Sequence, residues 1–306
     1  MDTNTFISNY IDNCDEIIYK SNIRYKIPKE FYGYYLVSNN DKKKLRSIII
    51  LNNKNKNIAT ELLKNLNKIE LYSCICSFGS NFLNILKNVN LLCKKYNYVY
   101  KLDIKDAFPS TNMFKMFKII KKNMDIKNYN LIKKLYNLDI MIKYNRSYYI
   151  VKKNELHLGL PTSAKMFEIY MSEIFKECNL EIDSIAFVDD ILFFHNNYKT
   201  LYSIVEKFTN IAKKYDLEIN NKKKKFINLK KDNLIFLQRY VYISDYSSLD
   251  PKYLEKKDGF MFVDQNKLVH KKYNYLNLFL LIGLIYFILS LSNISFSDFT
   301  RIFLFL

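Results

Sequence analysis

Phe187-Val188-Asp189-Asp190 constrains the fold of this 306-residue chain more than any other stretch. The apolar run Ile185-Ala186-Phe187-Val188 leads into two adjacent carboxylates, and Ile191-Leu192-Phe193-Phe194 leads out of them. Two short apolar runs joined by a tight polar break read as a β-hairpin with the Asp-Asp pair at its turn. Placing one carboxylate beside another in partly apolar surroundings is costly unless a cation neutralises both. Hard divalent ions with oxygen ligands, often Mg²⁺, are the usual solution. An acidic turn between solvated strands is the plainer alternative, and the Asp-Asp pair alone does not separate the two.

A further carboxylate lies upstream, in Tyr98-Val99-Tyr100-Lys101-Leu102-Asp103-Ile104-Lys105-Asp106-Ala107-Phe108. Residues 99–104 read as a strand with Asp103 near its carboxyl end. Between the two acidic segments, His157-Leu158-Gly159-Leu160-Pro161-Thr162-Ser163 precedes a helical pattern. Phe167, Tyr170, Met171, Ile174, Phe175 and Cys178 recur along one helical face. Thr162 or Ser163 is the expected N-cap. Gly159 lets the backbone approach a neighbour closely, and the helix start offers N–H groups to an anion or a base pair. A capped core helix after a turn accounts for the same residues without a function.

These three segments, in this order, resemble motifs A, B and C of reverse transcriptases, most closely the bacterial retron and group II intron types. Lys44-Leu45-Arg46-Ser47-Ile48 is similar to the fingers segment whose basic residues touch the incoming triphosphate. Phe78-Gly79-Ser80, with residues 88–95, resembles the fingers region leading into motif A. Leu217-Glu218-Ile219-Asn220, followed by Lys222, Lys223, Lys224 and Lys225, resembles motif D, and Phe236-Leu237 the start of the primer-grip hairpin. The family pattern is broken at three places. Leu158 stands where Gln is common, Ala164-Lys165 where proline is commoner, and Gln238 where the grip hairpin usually has Gly.

The resemblance implies an α+β right-hand polymerase with fingers at 1–97, a ferredoxin-like palm at 98–245, and a short helical thumb at 246–306. Residues 113–155 form a fingers or palm insertion on this reading. The implied activity is RNA-directed DNA polymerisation, adding deoxynucleotides to a primer 3′-hydroxyl by two-metal phosphoryl transfer. Asp103, Asp189 and the backbone of Ile104 would hold two Mg²⁺ ions, with Asp190 peripheral and Mn²⁺ an alternative. Lys44 and Arg46 would contact the triphosphate, and Gly159, Pro161, Thr162 and Ser163 would bear on the templating pair. Phe108, five residues after Asp103, would gate the sugar by clashing with a 2′-hydroxyl. Lys223 or Lys224 would serve near the leaving group as general acid, the rest of that run being solvated. The implied partners are an RNA template, a DNA or RNA primer and deoxynucleoside triphosphates. Three rivals share some of these features: an RNA-dependent RNA polymerase, an abortive-infection-like defence polymerase making untemplated or protein-primed DNA, and a non-enzymatic basic binding protein.

Lys and Arg number 48 against 30 Asp and Glu, a formal charge of +18 that points to a nucleic-acid or anionic-membrane partner. Part of the Lys, Asn, Ile and Tyr excess reflects A+T-rich coding, so the charge carries no claim of sequence-specific binding. Five cysteines without a Cys-x-x-Cys pair, and three histidines, give no zinc framework. With no leader-like segment, they favour a reducing, cytoplasmic site. A chain of this length accommodates fingers, palm and small thumb but no appended maturase, RNase H or integrase domain. Helices are expected near 59–70 and 81–96, and along the stripe Leu201, Ile204, Val205, Phe208, Ile211, Ala212, Tyr215. Residues 275–291 are nearly all apolar but shorter than the ~20 residues of a spanning helix. They read as a thumb helix or a membrane segment, and we take the former.

Overall fold

The computed structural model describes residues 2–21, 32–41, 44–237, 239–242, 254–257 and 260–264. For residues 32–41, Lys44 and those from 239 onwards it describes the backbone alone. The chain divides into two compact units, residues 1–229 and 230–306.

The first unit is built on two sheets. One has the order β1-β6-β5-β2-β3, from β1 (Glu16–Ser21), β2 (Tyr32–Asp41), β3 (Lys44–Leu51), β5 (Asp139–Tyr144) and β6 (Ser147–Lys152). Its β2 and β5 run parallel, and its other pairs are antiparallel. The other sheet has the order β7-β8-β4-β9, from β4 (Tyr98–Asp103), β7 (Ser184–Phe187), β8 (Asp190–His195) and β9 (Lys225–Asn228). All of its pairs are antiparallel. Helix α6 (Ser163–Cys178) connects β4 to the β7–β8 hairpin through the intervening segment, and α7 (Tyr198–Lys214) connects β8 to β9. That is the split β-α-β order read from the sequence, with the first strand central.

Capping explains where several helices begin. The side chains of Asn52, Asn81, Asn112 and Asp125 accept hydrogen bonds from backbone N–H groups at the starts of α2 (Asn53–Leu66), α3 (Phe82–Lys95), α4 (Met113–Asn123) and α5 (Ile126–Tyr136). The Asn52 cap starts α2 six residues before the expected 59. Helix α7 buries Leu201, Val205, Phe208, Ile211 and Ala212, most of the stripe expected of it. Phe208 packs against Phe175 of α6 and Phe193 of β8, with ring centroids 5.1 and 5.2 Å away. These edge and tilted contacts lock both helices onto one face of the sheet.

Helix α6 departs from the one-faced pattern. Lys165, Glu168 and Ser172 are buried along with Phe167, Tyr170, Ile174 and Phe175. The helix lies inside the unit, so polar residues that a surface helix would solvate are enclosed and paired. Helix α1 (Thr3–Asp12) completes the first unit.

In the second unit, β10 (Leu234–Phe236), β11 (Arg239–Tyr242), β12 (Leu254–Lys257) and β13 (Phe260–Asp264) form an antiparallel sheet of order β10-β11-β13-β12. Phe236 thus opens a hairpin where the grip resemblance places one. The described part of the segment expected to be a helical thumb is strand. Its sequence accounts for this: Phe260, Phe262 and Val263 are aromatic or β-branched residues that favour strand. The apolar stretch 275–291, with Gly283 to Phe287 inside it, lies outside the described residues. Among the described residues no helix is long and apolar enough to cross a membrane.

Candidate active site

Alternation along β4 sends Val99, Lys101 and Asp103 to one face of the sheet and Tyr98, Tyr100 and Leu102 to the other. Tyr98 and Tyr100 meet α7 and β9 aromatics, so Asp103 lies on the face opposite α7. In the antiparallel register Asp103 stands directly across from Asp190. Phe187 pairs with Asp190, which leaves Val188-Asp189 as a two-residue turn. The Ile104 N–H donates to the Asp189 carbonyl at 3.0 Å, tying the turn to the end of β4. Thus all three carboxylates read from the sequence meet at one place.

The turn is bought with strain. Val188 has φ +53°, a left-handed conformation that a β-branched side chain resists and that glycine normally supplies in such turns. A residue held there costs about 1–3 kcal/mol, and such strain tends to sit where function needs it.

Two lysines answer the carboxylates. Lys223 Nζ lies 2.6 Å from Asp103 Oδ2, and Asn220 Nδ2 donates to Asp103 Oδ1 at 3.1 Å. The Asn220 N–H also donates to the Asp103 carbonyl, and Ile219 bridges Ile104. The Leu217–Asn220 segment therefore forms an extra edge beside the site. Lys101 Nζ lies 3.5 Å from Asp190 Oδ1. Burial, and then the Asp190 charge, push the Asp189 carboxyl above its ordinary pKa, with Asp103 adding to the shift. Burial raises Asp190 as well, opposed by Lys101. The hydrogen bond to Asp103 holds the Lys223 ammonium above the usual lysine value.

This donor set fits a hard divalent cation. Asp103 and Asp190 stand opposite each other with Asp189 next in the chain, and the charge these carboxyls impose on one another is the condition a 2+ ion relieves. Among the described residues no three His, Cys, Asp or Glu side chains form a cage for a single ion. Mg²⁺ in phosphoryl-transfer sites needs only one or two carboxylates, completing its shell with phosphate and water.

The other expected residues fall into two groups. Phe108 follows the β4 exit in a turn, its ring 5.5 Å from that of Phe167 and nearly parallel at 22°, so α6 fixes its plane. Arg46 is exposed on β3, opposite Ser38. Lys44 begins β3, but its side chain lies outside the described residues. Gly159, Thr162 and Ser163 serve the core. Gly159 has φ +94°, and a Cβ there would lie 2.3 Å from the Ile49 carbonyl oxygen. The neighbour it approaches is β3, which the adjacent Ile49 N–H to Leu158 carbonyl bond of 2.8 Å draws in.

The expected side-chain cap is absent. Thr162 occupies the N-cap position without a capping bond. Its hydroxyl instead lies 2.8 Å from the Tyr136 hydroxyl, which also bonds Ser163 Oγ at 2.9 Å. Ser163 Oγ donates to the His157 carbonyl, and the Tyr136 and His157 rings stack at 6.1 Å. Tyr136 gave no sign in the sequence, since its partners lie 26 and 27 residues away. We expect Tyr136→Phe to destabilise the first unit by about 1–3 kcal/mol, because two buried hydroxyls lose a partner. Denaturant unfolding would measure it.

Residues 28–276 match the family model described as reverse transcriptase (RNA-dependent DNA polymerase). Among curated proteins none matches the sequence. Solved structures similar in fold include telomerase from Candida albicans in complex with a TWJ fragment of telomeric RNA, at 13% identity and TM-score 0.58. That match covers 80% of this chain and 49% of the telomerase chain. Apo telomerase from Candida tropicalis is similar at 14% identity and TM-score 0.58, covering 77% of this chain and 50% of that one. The chain thus spans about half the length of these relatives in structure.

Proposed function

The chain belongs to the reverse transcriptase family, and on that premise we propose that it is an RNA-directed DNA polymerase using Asp103, Asp189 and Asp190. The observation that carries this reading is the meeting of Asp103 with Asp190 across the β4–β8 register, with Asp189 on the strained turn beside them. The β7-β8-β4-β9 sheet with α6 and α7 is the palm, and the β1-β6-β5-β2-β3 sheet belongs to the fingers. The bacterial retron or group II intron type remains our choice of subtype, on the sequence motifs. Five cysteines without a disulfide suit a reducing, cytoplasmic setting.

Two Mg²⁺ ions, when bound, would stabilise charge on the triphosphate and make the primer hydroxyl a better nucleophile. Asp103 and Asp189 are the residues to hold them, with the Ile104 backbone beside. Lys101 neutralises Asp190, which leaves that carboxylate peripheral to the other two. Lys223, released from Asp103, would serve near the leaving pyrophosphate, where an ammonium can give up a proton. Arg46, with Lys44 on the same strand, supplies positive charge for the triphosphate. Gly159 acts through packing: by seating the segment ahead of α6 on β3, it sets where the helix start meets the templating pair.

Incorporation of labelled deoxythymidine on a primed poly-A template with Mg²⁺, lost in an Asp189→Ala, Asp190→Ala variant, tests the reading. Phe108 supports deoxynucleotides as the substrate, since its ring is held flat on Phe167. Phe108→Val should raise ribonucleotide use relative to deoxynucleotide use by about 10- to 200-fold, the scale at which one pocket contact discriminates. Paired kcat/KM measurements with the two sugars would check it. An unchanged ratio removes Phe108 from sugar selection.

A further inference from the structure

Segment 74–76 runs beside β7, with the Ala186 N–H donating to the Cys74 carbonyl at 2.9 Å and the Cys76 N–H to the Ala186 carbonyl at 2.8 Å. Two residues on, Phe78 lies beside Phe187, the residue that enters the carboxylate turn. Their rings are 6.2 Å apart and inclined by only 20°. Phe78 is nonetheless 65% exposed. Two nearly parallel rings at the edge of the carboxylate turn, one of them largely exposed, offer aromatic surface against which a further planar group can stack.

The loop is gripped from below. The Phe78 N–H donates to Glu168 Oε1. Glu168 is 1% exposed, and its other oxygen lies 3.5 Å from Lys165 Nζ, itself buried. Lys165 Nζ also reaches Ser77 Oγ at 3.4 Å. An ion pair enclosed in a helix interior is expensive and adds little stability by itself. Its partners here are the backbone and side chain of the loop that presents Phe78. Beyond the loop, Pro161, Ala164 and Leu63 help line a cleft of about 440 Å³.

Building on the polymerase reading, we propose that Phe78 and Phe187 form a two-ring platform on which a base of the bound nucleic acid stacks beside the carboxylate turn, and that Lys165 and Glu168 are positioning residues for it. Every base presents a π-face, so such a platform binds without reading sequence. That suits a chain whose +18 charge supplies phosphate attraction rather than base readout.

Binding of a fluorescent RNA–DNA primed template to the full chain, followed by anisotropy at fixed salt, tests this without requiring catalysis. Phe78→Ala should weaken binding about 5- to 100-fold, the range of a lost stacking contact, with its thermal midpoint unchanged. Phe78→Tyr should bind as the unmodified chain does. A Lys165→Met, Glu168→Leu double variant removes the grip without orphaning a buried charge. It should weaken binding in the Phe78 chain but add nothing in the Phe78→Ala chain, a non-additivity that loosened packing alone would not give. Binding by Phe78→Ala within about twofold of the parent overturns the platform, and additive effects overturn the positioning role. If the parent incorporates nucleotide while Phe78→Ala binds normally, only the platform fails. If the parent neither binds the hybrid nor extends it, the polymerase reading fails with it.

Discussion

On the proposed function, Asp189→Asn should abolish nucleotide incorporation, by about a thousandfold or more, yet leave the chain more heat-stable at neutral pH. The first effect follows from losing a charged ligand where transition-state charge must be held: roughly 4 kcal/mol, or about three powers of ten in rate. The second follows from the crowding around it. Burial, and then Asp190, raise the Asp189 pKa, so the folded chain holds that proton more tightly than the unfolded chain does. The associated stability is full below the ordinary carboxylate pKa and is lost as pH rises through the raised value. At pH 7 the parent carries this penalty and the Asn variant does not. An upward shift in melting temperature is expected at neutral pH, shrinking as pH falls into the ordinary carboxylate range. Mg²⁺ should raise the melting temperature of the parent by binding its folded form, and do so far less for the variant. Scanning calorimetry at two pH values, with and without Mg²⁺, measures all of this.

Gly159→Ala should remove about a third or more of the first unit's stability. Its φ of +94° disfavours any L side chain, and the added methyl would sit 2.3 Å from the Ile49 carbonyl oxygen and 2.7 Å from Ile48 Cγ2. The Ile49 N–H to Leu158 carbonyl bond keeps the strand from retreating. A backbone clash combined with a disfavoured φ belongs to the class of changes costing about 4–5 kcal/mol, against a typical total of about 5–15. Gly79→Ala is the matched control, since a Cβ there meets nothing within 4 Å. Urea unfolding of the two variants should separate them clearly. Equal midpoints would mean that β3 and the Gly159 turn are not in contact.

The meeting of Asp103 with the Asp189-Asp190 turn was legible because its signals are local. Two carboxylates between apolar runs define a hairpin turn, and Asp103 at the end of an apolar strand invites pairing with it. Alternation also places Lys101 on the Asp103 face, so its contact with Asp190 was within reach of the sequence. What stayed hidden depends on distant neighbours. Gly159 was legible as a close approach, but nothing in the sequence names Ile49 as the group approached. Thr162 and Ser163 have cap chemistry, yet a tyrosine from another helix takes their hydroxyls. Lys165 and Glu168 look like the solvated side of an amphipathic helix, and only the enclosure of α6 turns them into a buried pair. The parallel pairing of β2 with β5 joins segments about a hundred residues apart in the chain, a separation at which periodicity carries no information.

The most direct test of the central claim is template dependence. Purified chain with Mg²⁺ would be given poly-A primed with oligo-dT, poly-C primed with oligo-dG, or primer alone, each with all four labelled deoxynucleotides in turn. Incorporation of thymidine on poly-A and guanosine on poly-C, with none on primer alone, is the predicted result. Incorporation that ignores the template, or that survives Asp189→Ala together with Asp190→Ala, would contradict an RNA-directed DNA polymerase centred on this turn.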